Sequence, residues 1–320
     1  MKKIFVFLVF VVFLSILGFT TFNIYSKTAN DKSPIVSPVP NFLTVFINKQ
    51  VSTLNLWLPS LRNKISVSFK APEISARSAL IYDMTSKKVL YSKNTQEKLP
   101  MASLTKIMTA VVALENKRND DAYVVTKSDL VGEDSMGLSS GETLTLRDLL
   151  YGLILNSGND AAEVLAQNFP GRNFFIKAMN DKVKSLGLRD TNFTNPTGLE
   201  GDGKQYTTVY DLLVITQYAL SNFPLFDQVT STFDYDIPYS SLHKEFYLEN
   251  QTNLLTSYPG VKGVKTGYTP EAGLCLVTYL DYGGHKIIAV ILGSDDRRGE
   301  MIELLDYSLL SEGITPPKHG

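Results

Sequence analysis

The stretch "PMASLTKIMTAVVALE", Pro100 to Glu115, decides how this chain is read. Leu104, Ile107, Met108, Val111, Val112 and Leu114 predict a buried helix over Leu104 to Asn116, yet Ser103 and Lys106 sit three apart at its start. A lysine ammonium resists burial. Residues three apart on a helix are surface neighbours, so the hydroxyl and the amine can share a hydrogen bond. Apolar surroundings disfavour the ammonium and lower the lysine pKa. A neutral amine can then take the serine proton and make a nucleophile of the hydroxyl. With Pro100 at the turn into the helix, Ser103 also lies near its N-terminus, where the dipole favours negative charge. Alone, S-x-x-K proves little, because it also describes a helix-capping serine beside a solvent-facing lysine.

Two further pieces sharpen the pattern. "LNSGND" places Ser157, Gly158 and Asn159 between the helical stretches "LRDLLYGLIL" and "AAEVLAQN". Such a break can aim short polar side chains into a cleft; it can also be a simple helix cap. "GVKGVKTGYT" carries Lys265, Thr266 and Gly267 and leads into a strand-like segment. Glycine there lets a substrate approach the backbone, while Lys265 adds positive charge and Thr266 a hydroxyl. The alternative is a turn on an exposed edge.

S-x-x-K, S-x-N and K-T-G in this order are far more specific than any one of them, and near-identical signatures mark the penicillin-recognising serine enzymes. With "LPMASLTKIMTA", "MGLSSGETLTLRDLLYGLILNSGNDAAEVLA", "NFTNPTGL" and "GVKGVKTGYTPEAGLCLV", the chain closely resembles the D-alanyl-D-alanine carboxypeptidases of peptidase family S11, over about Pro72 to Leu310. The resemblance implies a β-lactamase/transpeptidase-like fold and an acyl-enzyme on Ser103 with Lys106 as general base. Ser157 and Lys265 would relay a proton to the departing amine, and Asn159 would hold the peptide carbonyl. Thr266 and Thr269 would help Lys265 receive the terminal carboxylate, with Arg297 a looser candidate for the same role or an exposed structural arginine. The N–H groups of Ser103 and Tyr268, beside Gly267, would form the oxyanion hole. The implied substrate is a peptidoglycan stem peptide ending in D-Ala-D-Ala, with β-lactams as covalent inhibitors. An endopeptidase, a transpeptidase, a β-lactamase or a non-catalytic peptidoglycan-binding protein are the alternatives.

Three departures stand out. The chain ends soon after Leu310, where many relatives continue into a β-domain and an amphipathic helix. Tyr268 follows K-T-G where some relatives carry histidine, which leaves a backbone role intact. No E-x-x-L-N follows "SGND", so no deacylating glutamate is identified.

Composition agrees with an enzyme of this kind. Apolar residues make up 44% and charged residues 20%, and 31 basic residues balance 32 acidic ones, which argues against a nucleic-acid partner. A single cysteine, Cys275, excludes an internal disulfide and reads as core; His243, His285 and His319 have no ligand spacing, so neither metal nor cofactor is expected. His285, after a hairpin turn, is expected to be solvated. "GLSSG" (Gly137 to Gly141) matches a nucleophile elbow literally, but its polar context predicts a loop bordering the cleft.

Lys2 and Lys3 precede an uncharged run from Ile4 to Phe22, which as a helix would span roughly 28 Å, about one hydrocarbon core. Residues 1–25 read as a retained transmembrane anchor, with a cleaved signal peptide or a buried helix as alternatives. The lysines would leave the rest of the chain outside a bacterial membrane. Residues 26–71 read as a linker and 72–320 as the catalytic domain. The fold class is α/β (α+β). "SALIYD" with "KKVLYSK", and the hairpin within "LCLVTYLDYGGHKIIAVILG", are strands from the two ends that should pair in one antiparallel sheet. Between them helices are predicted over Leu146 to Leu155, Ala161 to Asn168, Phe174 to Leu186 and Val209 to Ser221, with a closing one over Glu300 to Leu310.

Overall fold

The structure, a computed structural model, describes residues 70–252 and 254–319. The expected anchor, and the expected linker up to residue 69, lie outside the described residues. Among those described, no helix is long and apolar enough to cross a membrane.

Strands β1 (Ser78–Asp83) and β2 (Lys88–Lys93) from one end of the chain join β7 (Val261–Thr269), β8 (Gly273–Tyr282) and β9 (His285–Ser294) from the other. The order is β2-β1-β9-β8-β7, and every neighbouring pair is antiparallel. β1 lies between β2 and β9, with Ala79 opposite Ile291 and Ile81 opposite Ala289. The expected pairing of the two ends is therefore observed. Alternation along the strands supplies two cores. Ala79, Ile81, Ile287, Ala289 and Ile291 face one side of the sheet; Leu80, Tyr82, Ile288, Val290 and Leu292 face the other. Because both faces are covered, these strands read as unbroken apolar runs.

Helix α8 (Arg297–Ser311) covers the first face through Met301, Leu304, Leu305 and Leu309. The second face receives the helical middle: α1 (Thr105–Glu115), α2 (Leu146–Ile154), α3 (Asn159–Gln167), α4 (Arg172–Ser185) and α5 (Val209–Asn222). Side-chain caps start two of them, Thr145 accepting from Asp148 N and Thr208 from Asp211 N. Every residue of α1 from Thr105 to Ala113 is buried, which is how a helix packed on all sides reads.

Several elements were not foreseen: the short pairs β3 (Tyr123–Val124) with β4 (Thr143–Leu144) and β5 (Asp234–Ile237) with β6 (Phe246–Glu249), and helices α6 (Pro224–Thr230) and α7 (Leu254–Ser257). Lys265, Thr266 and Gly267 lie inside β7 rather than ahead of a strand, and β7 is an edge of the sheet. His285 corrects the expectation of a solvated side chain. It is partly buried and pairs through Nδ1 with the fully buried Asp83, because the β8–β9 turn folds back on the β1–β2 turn. Glu312 joins this cluster but binds Lys88 through both oxygens. Cys275 is buried, as expected.

One buried ion pair ties three helices. Lys182 of α4 meets Glu115 at the end of α1, their side chains 5% and 6% exposed, and the Tyr218 hydroxyl of α5 donates to Glu115 at 2.6 Å. Removing one partner strands the other charge in the core. Glu115→Ala is expected to lower stability by about 3–5 kcal/mol, and the double variant Glu115→Leu/Lys182→Met by much less. Denaturant unfolding of both variants checks this.

Candidate active site

Ser103 lies on the single tight turn Ala102–Leu104 that leads into α1, two residues ahead of the helix proper. Lys106 stands one turn further on, with no exposed surface. Its amine sits 2.9 Å from Ser103 Oγ, 2.8 Å from Asn159 Oδ1 and 2.8 Å from the Thr197 carbonyl oxygen. Asn159 Oδ1 and the Thr197 oxygen can only accept. A neutral amine satisfies them with its two N–H bonds and turns its lone pair to the third neighbour, the Ser103 hydroxyl. Electrostatics favours that form. Burial, then the nearby Lys265, hold the Lys106 pKa well below the ordinary lysine range, against Asp134 and Asp160, which pull the other way.

The S-G-N turn arrives between α2 and α3. Ser157 is buried and adopts φ +58°, left-handed backbone that a serine holds only where its surroundings impose it. Asn159 opens α3, and its N–H donates to the Asp134 carbonyl at 2.8 Å. Asp160, next in sequence, accepts the N–H groups of Met136, Gly137 and Leu138 and the Ser135 hydroxyl. These bonds fasten the 134–138 loop to α3. Ser139, within the G-x-S-x-G look-alike, is exposed and takes a hydrogen bond from Lys244.

β7 closes the third side. A side chain at Gly267 would stand 3.1 Å from the Met101 oxygen and 3.2 Å from Ser103 N, so glycine allows the strand to lie against the serine turn. Lys265, two residues back, is 1% exposed; burial first, then Arg297, bring its pKa down to about 7, against the pull of Asp134. Thr266 is buried, and Tyr268 is 61% exposed. Arg297, at the start of α8, donates to the Gly267 oxygen at 2.9 Å and is half-buried, which brings it to this strand rather than to open solvent. Thr269 stands at the β7–β8 turn, where its Oγ1 accepts from Ala272 N at 3.1 Å and its hydroxyl bonds the Glu200 carboxylate. Its hydroxyl is thus engaged in the turn, and no bond to Lys265 or its neighbours accompanies it.

The segment "NPTGL" completes the enclosure. The Asn195 side chain takes the N–H groups of Thr197 and Gly198, shaping the turn that points the Thr197 carbonyl at Lys106. Gly198, at φ +93°, would drive a side chain to within 2.0 Å of the Ala102 oxygen. Nothing in the sequence alone assigns a role to this segment, to Asp134 or to Asp160. Only the aspartate beside Asn159 and the glycine in "NPTGL" hinted at them.

Thus Ser103, Lys106 and Asn159 touch directly; Lys265 is electrostatically coupled to Lys106; and Gly267, with Arg297 on its oxygen, packs on the serine turn. Three comparisons bear on the arrangement. A family model described as D-alanyl-D-alanine carboxypeptidase, Peptidase S11, matches residues 65–296. The D-alanyl-D-alanine carboxypeptidase DacF of Bacillus subtilis is 36% identical over 73% of this chain, which spans 62% of that relative's length. The D-alanyl-D-alanine endopeptidase of Pseudomonas aeruginosa is 34% identical over 77% of this chain and 82% of its own. The crystal structure of the Streptomyces K15 DD-transpeptidase is 32% identical, with a TM-score of 0.71 over 76% of this chain and all of that one. By the family match, the sequence identity and the common fold, the chain belongs to peptidase family S11.

Proposed function

We propose that this protein is a serine-type D-Ala-D-Ala carboxypeptidase that trims peptidoglycan stem peptides through an acyl-enzyme on Ser103. The observation that carries this is the Lys106 amine, buried and bonded to two carbonyl oxygens and the Ser103 hydroxyl. Family membership supports it, and the printed names of relatives cover carboxypeptidase, endopeptidase and transpeptidase alike.

The steps follow from the groups present. Ser103 Oγ attacks the carbonyl carbon between two D-alanines while its proton passes to Lys106. The oxygen gains negative charge and is received by the N–H groups of Ser103 and Tyr268; a donor of this kind is worth about 2.7–4 kcal/mol of barrier. Asn159 orients the acyl-side peptide carbonyl, the free edge of β7 offers its backbone to the extended peptide, and Lys265, with Thr266 and Arg297, receives the terminal carboxylate. The C–N bond then breaks as the leaving amine takes a proton through Ser157 and Lys265. Water hydrolyses the ester and restores Ser103. A β-lactam opens by the same attack, but its leaving amine stays tethered, so the adduct persists. Thr269, held by Glu200, shapes the strand end rather than meeting substrate.

In the same reading, residues 1–25 anchor the chain in a bacterial cell membrane, 26–71 form a tether, and 72–320 work on the extracytoplasmic side. Two lysines before an apolar run support this.

Incubating the full-length chain with a peptide ending in D-Ala-D-Ala should release free D-alanine, and Ser103→Ala should reduce release to background. Release that survives the substitution would overturn the assignment. Penicillin labelling without release would favour a transpeptidase, and rapid penicillin turnover a β-lactamase.

The pH dependence has two signs. Lys106 acts as a base when neutral, so acylation by a fluorescent penicillin should fall on the acid side as it takes a proton. Lys265 binds carboxylate when charged, so kcat/KM for the free peptide should fall as pH rises through about 7. A peptide capped as its C-terminal amide should lack that alkaline fall. An alkaline limb identical for both peptides would rule out the Lys265 role.

A further inference from the structure

A peptide held for cleavage can lie along β7 in one direction. Lys265 and Thr266 receive the terminal carboxylate and the N–H of Tyr268 receives the oxyanion. The acyl part therefore runs on past Tyr268, toward Thr269 and the β7–β8 turn. An extended chain advances about 3.3 Å per residue. The residue that precedes the two D-alanines thus stands beside Thr269 to Glu271.

A cavity of about 40 Å³ lies at that place. Pro100, Met101 and Ala102, just ahead of Ser103, form one wall; residues of the 198–205 loop, with Thr269 and Glu271, form the rest. It has room for a water or an ammonium group and not for a ring. The charged residues lining it are Glu200 and Glu271, both exposed and both negative, with no basic side chain among them. Glu200 is fixed there by contacts. The Glu271 N–H donates to its Oε1 at 3.1 Å, and the Thr269 hydroxyl bonds the same carboxylate. Both partners line the cavity, so the carboxylate bridges the 198–205 loop and the end of β7 at the cavity rim. A carboxylate has about four acceptor sites, which leaves capacity for a donor on a ligand. Pro100 and Leu199 add apolar surface on which a methylene stem can lie.

We propose that Glu200, with Glu271 beside it, is a specificity-determining residue that selects peptides whose residue before the two D-alanines carries a positively charged side-chain amine, as a diamino acid does. This rests on the roles given above to Ser103, Lys265 and Tyr268. The site is then polarised along β7: a cationic end takes the terminal carboxylate, and an anionic end takes the ammonium. Opposite charges at the two ends admit the peptide in one register and disfavour the reverse.

The test uses three peptides that differ only in the residue before D-Ala-D-Ala: lysine, Nε-acetyl-lysine and glutamate. D-Alanine release by the full-length chain gives kcat/KM for each. Lysine should exceed acetyl-lysine by about three- to fivefold at low salt, glutamate should be the poorest, and added salt should shrink the preference. Glu200→Gln keeps an oxygen for the Glu271 N–H, and Glu271→Gln leaves that N–H in place. Each should bring the ratio of lysine to acetyl-lysine toward one, and Glu271→Lys should favour the glutamate peptide. Because the readout is a ratio, a general loss through a distorted strand end cancels, and should one glutamine variant fail to fold the other carries the comparison. Equal rates for lysine and acetyl-lysine in the parent, or a preference that neither glutamine variant moves, would overturn the proposal. Fluorescence anisotropy of the same peptides, labelled, on Ser103→Ala gives the ratio as affinities without turnover. A parent that releases no D-alanine from any peptide defeats the functional reading, and those affinities still decide the subsite; no binding of any of the three defeats both.

Discussion

A single amine kept dry is the constraint that shapes this molecule. Lys106 can be buried only because its N–H groups find the Asn159 oxygen and the Thr197 carbonyl, and because Ser103 supplies the third contact. Those partners belong to three segments far apart in the chain. The fold must therefore bring together the start of α1, the start of α3 and the "NPTGL" turn with sub-ångström agreement. A buried amine that missed one partner would carry an unsatisfied polar group in the core, at about 1–3 kcal/mol each.

Much of the surrounding structure follows from that demand. α1 is buried on every side because its first turn has to be walled in, and the buried Glu115–Lys182 pair fastens its far end to α4 and α5. β7 lies at the sheet edge, where one side is paired with β8 and the other remains open toward the serine turn. Ala102 and Ser157 both hold positive φ without being glycine; Ala102 precedes Ser103, and Ser157 stands two residues before Asn159, both of which bond the amine. Strain of about 1–3 kcal/mol at such positions survives only when neighbours over-determine the backbone. Here Gly198 behind Ala102, and the Asp160-bound loop beside Asn159, are among those neighbours.

The elements legible in the sequence were those with a strong local period. The helices around the S-x-x-K and S-x-N motifs appear within a residue or two of their expected ends, and the two hairpins stand where alternating apolar residues and the Tyr282-Gly283-Gly284 turn put them. Weakly patterned pieces escaped. β5 and β6 are four residues long and mostly polar on their outer face, so nothing distinguished them from loop. Lys265 to Gly267 did not read as strand interior, because three glycines and two lysines in "GVKGVKTG" hide the β period. His285 looked like a solvated turn residue, since its partner Asp83 is about two hundred positions away and no local signal connects them.

By itself the sequence determined the chemistry that could be attempted: a hydroxyl and an amine one helical turn apart, a second hydroxyl and an amide at a helix break, and a third motif supplying another amine. It also determined the partition of strands and helices, because burial patterns of period two and three to four are local. Only the tertiary structure decided which amine faces the hydroxyl with its lone pair and which charges bear on it. Proton affinity depends on burial and on groups brought near through space, and Asp134, Thr197 and Arg297 reach this site from loops and helix ends that carry no period of their own.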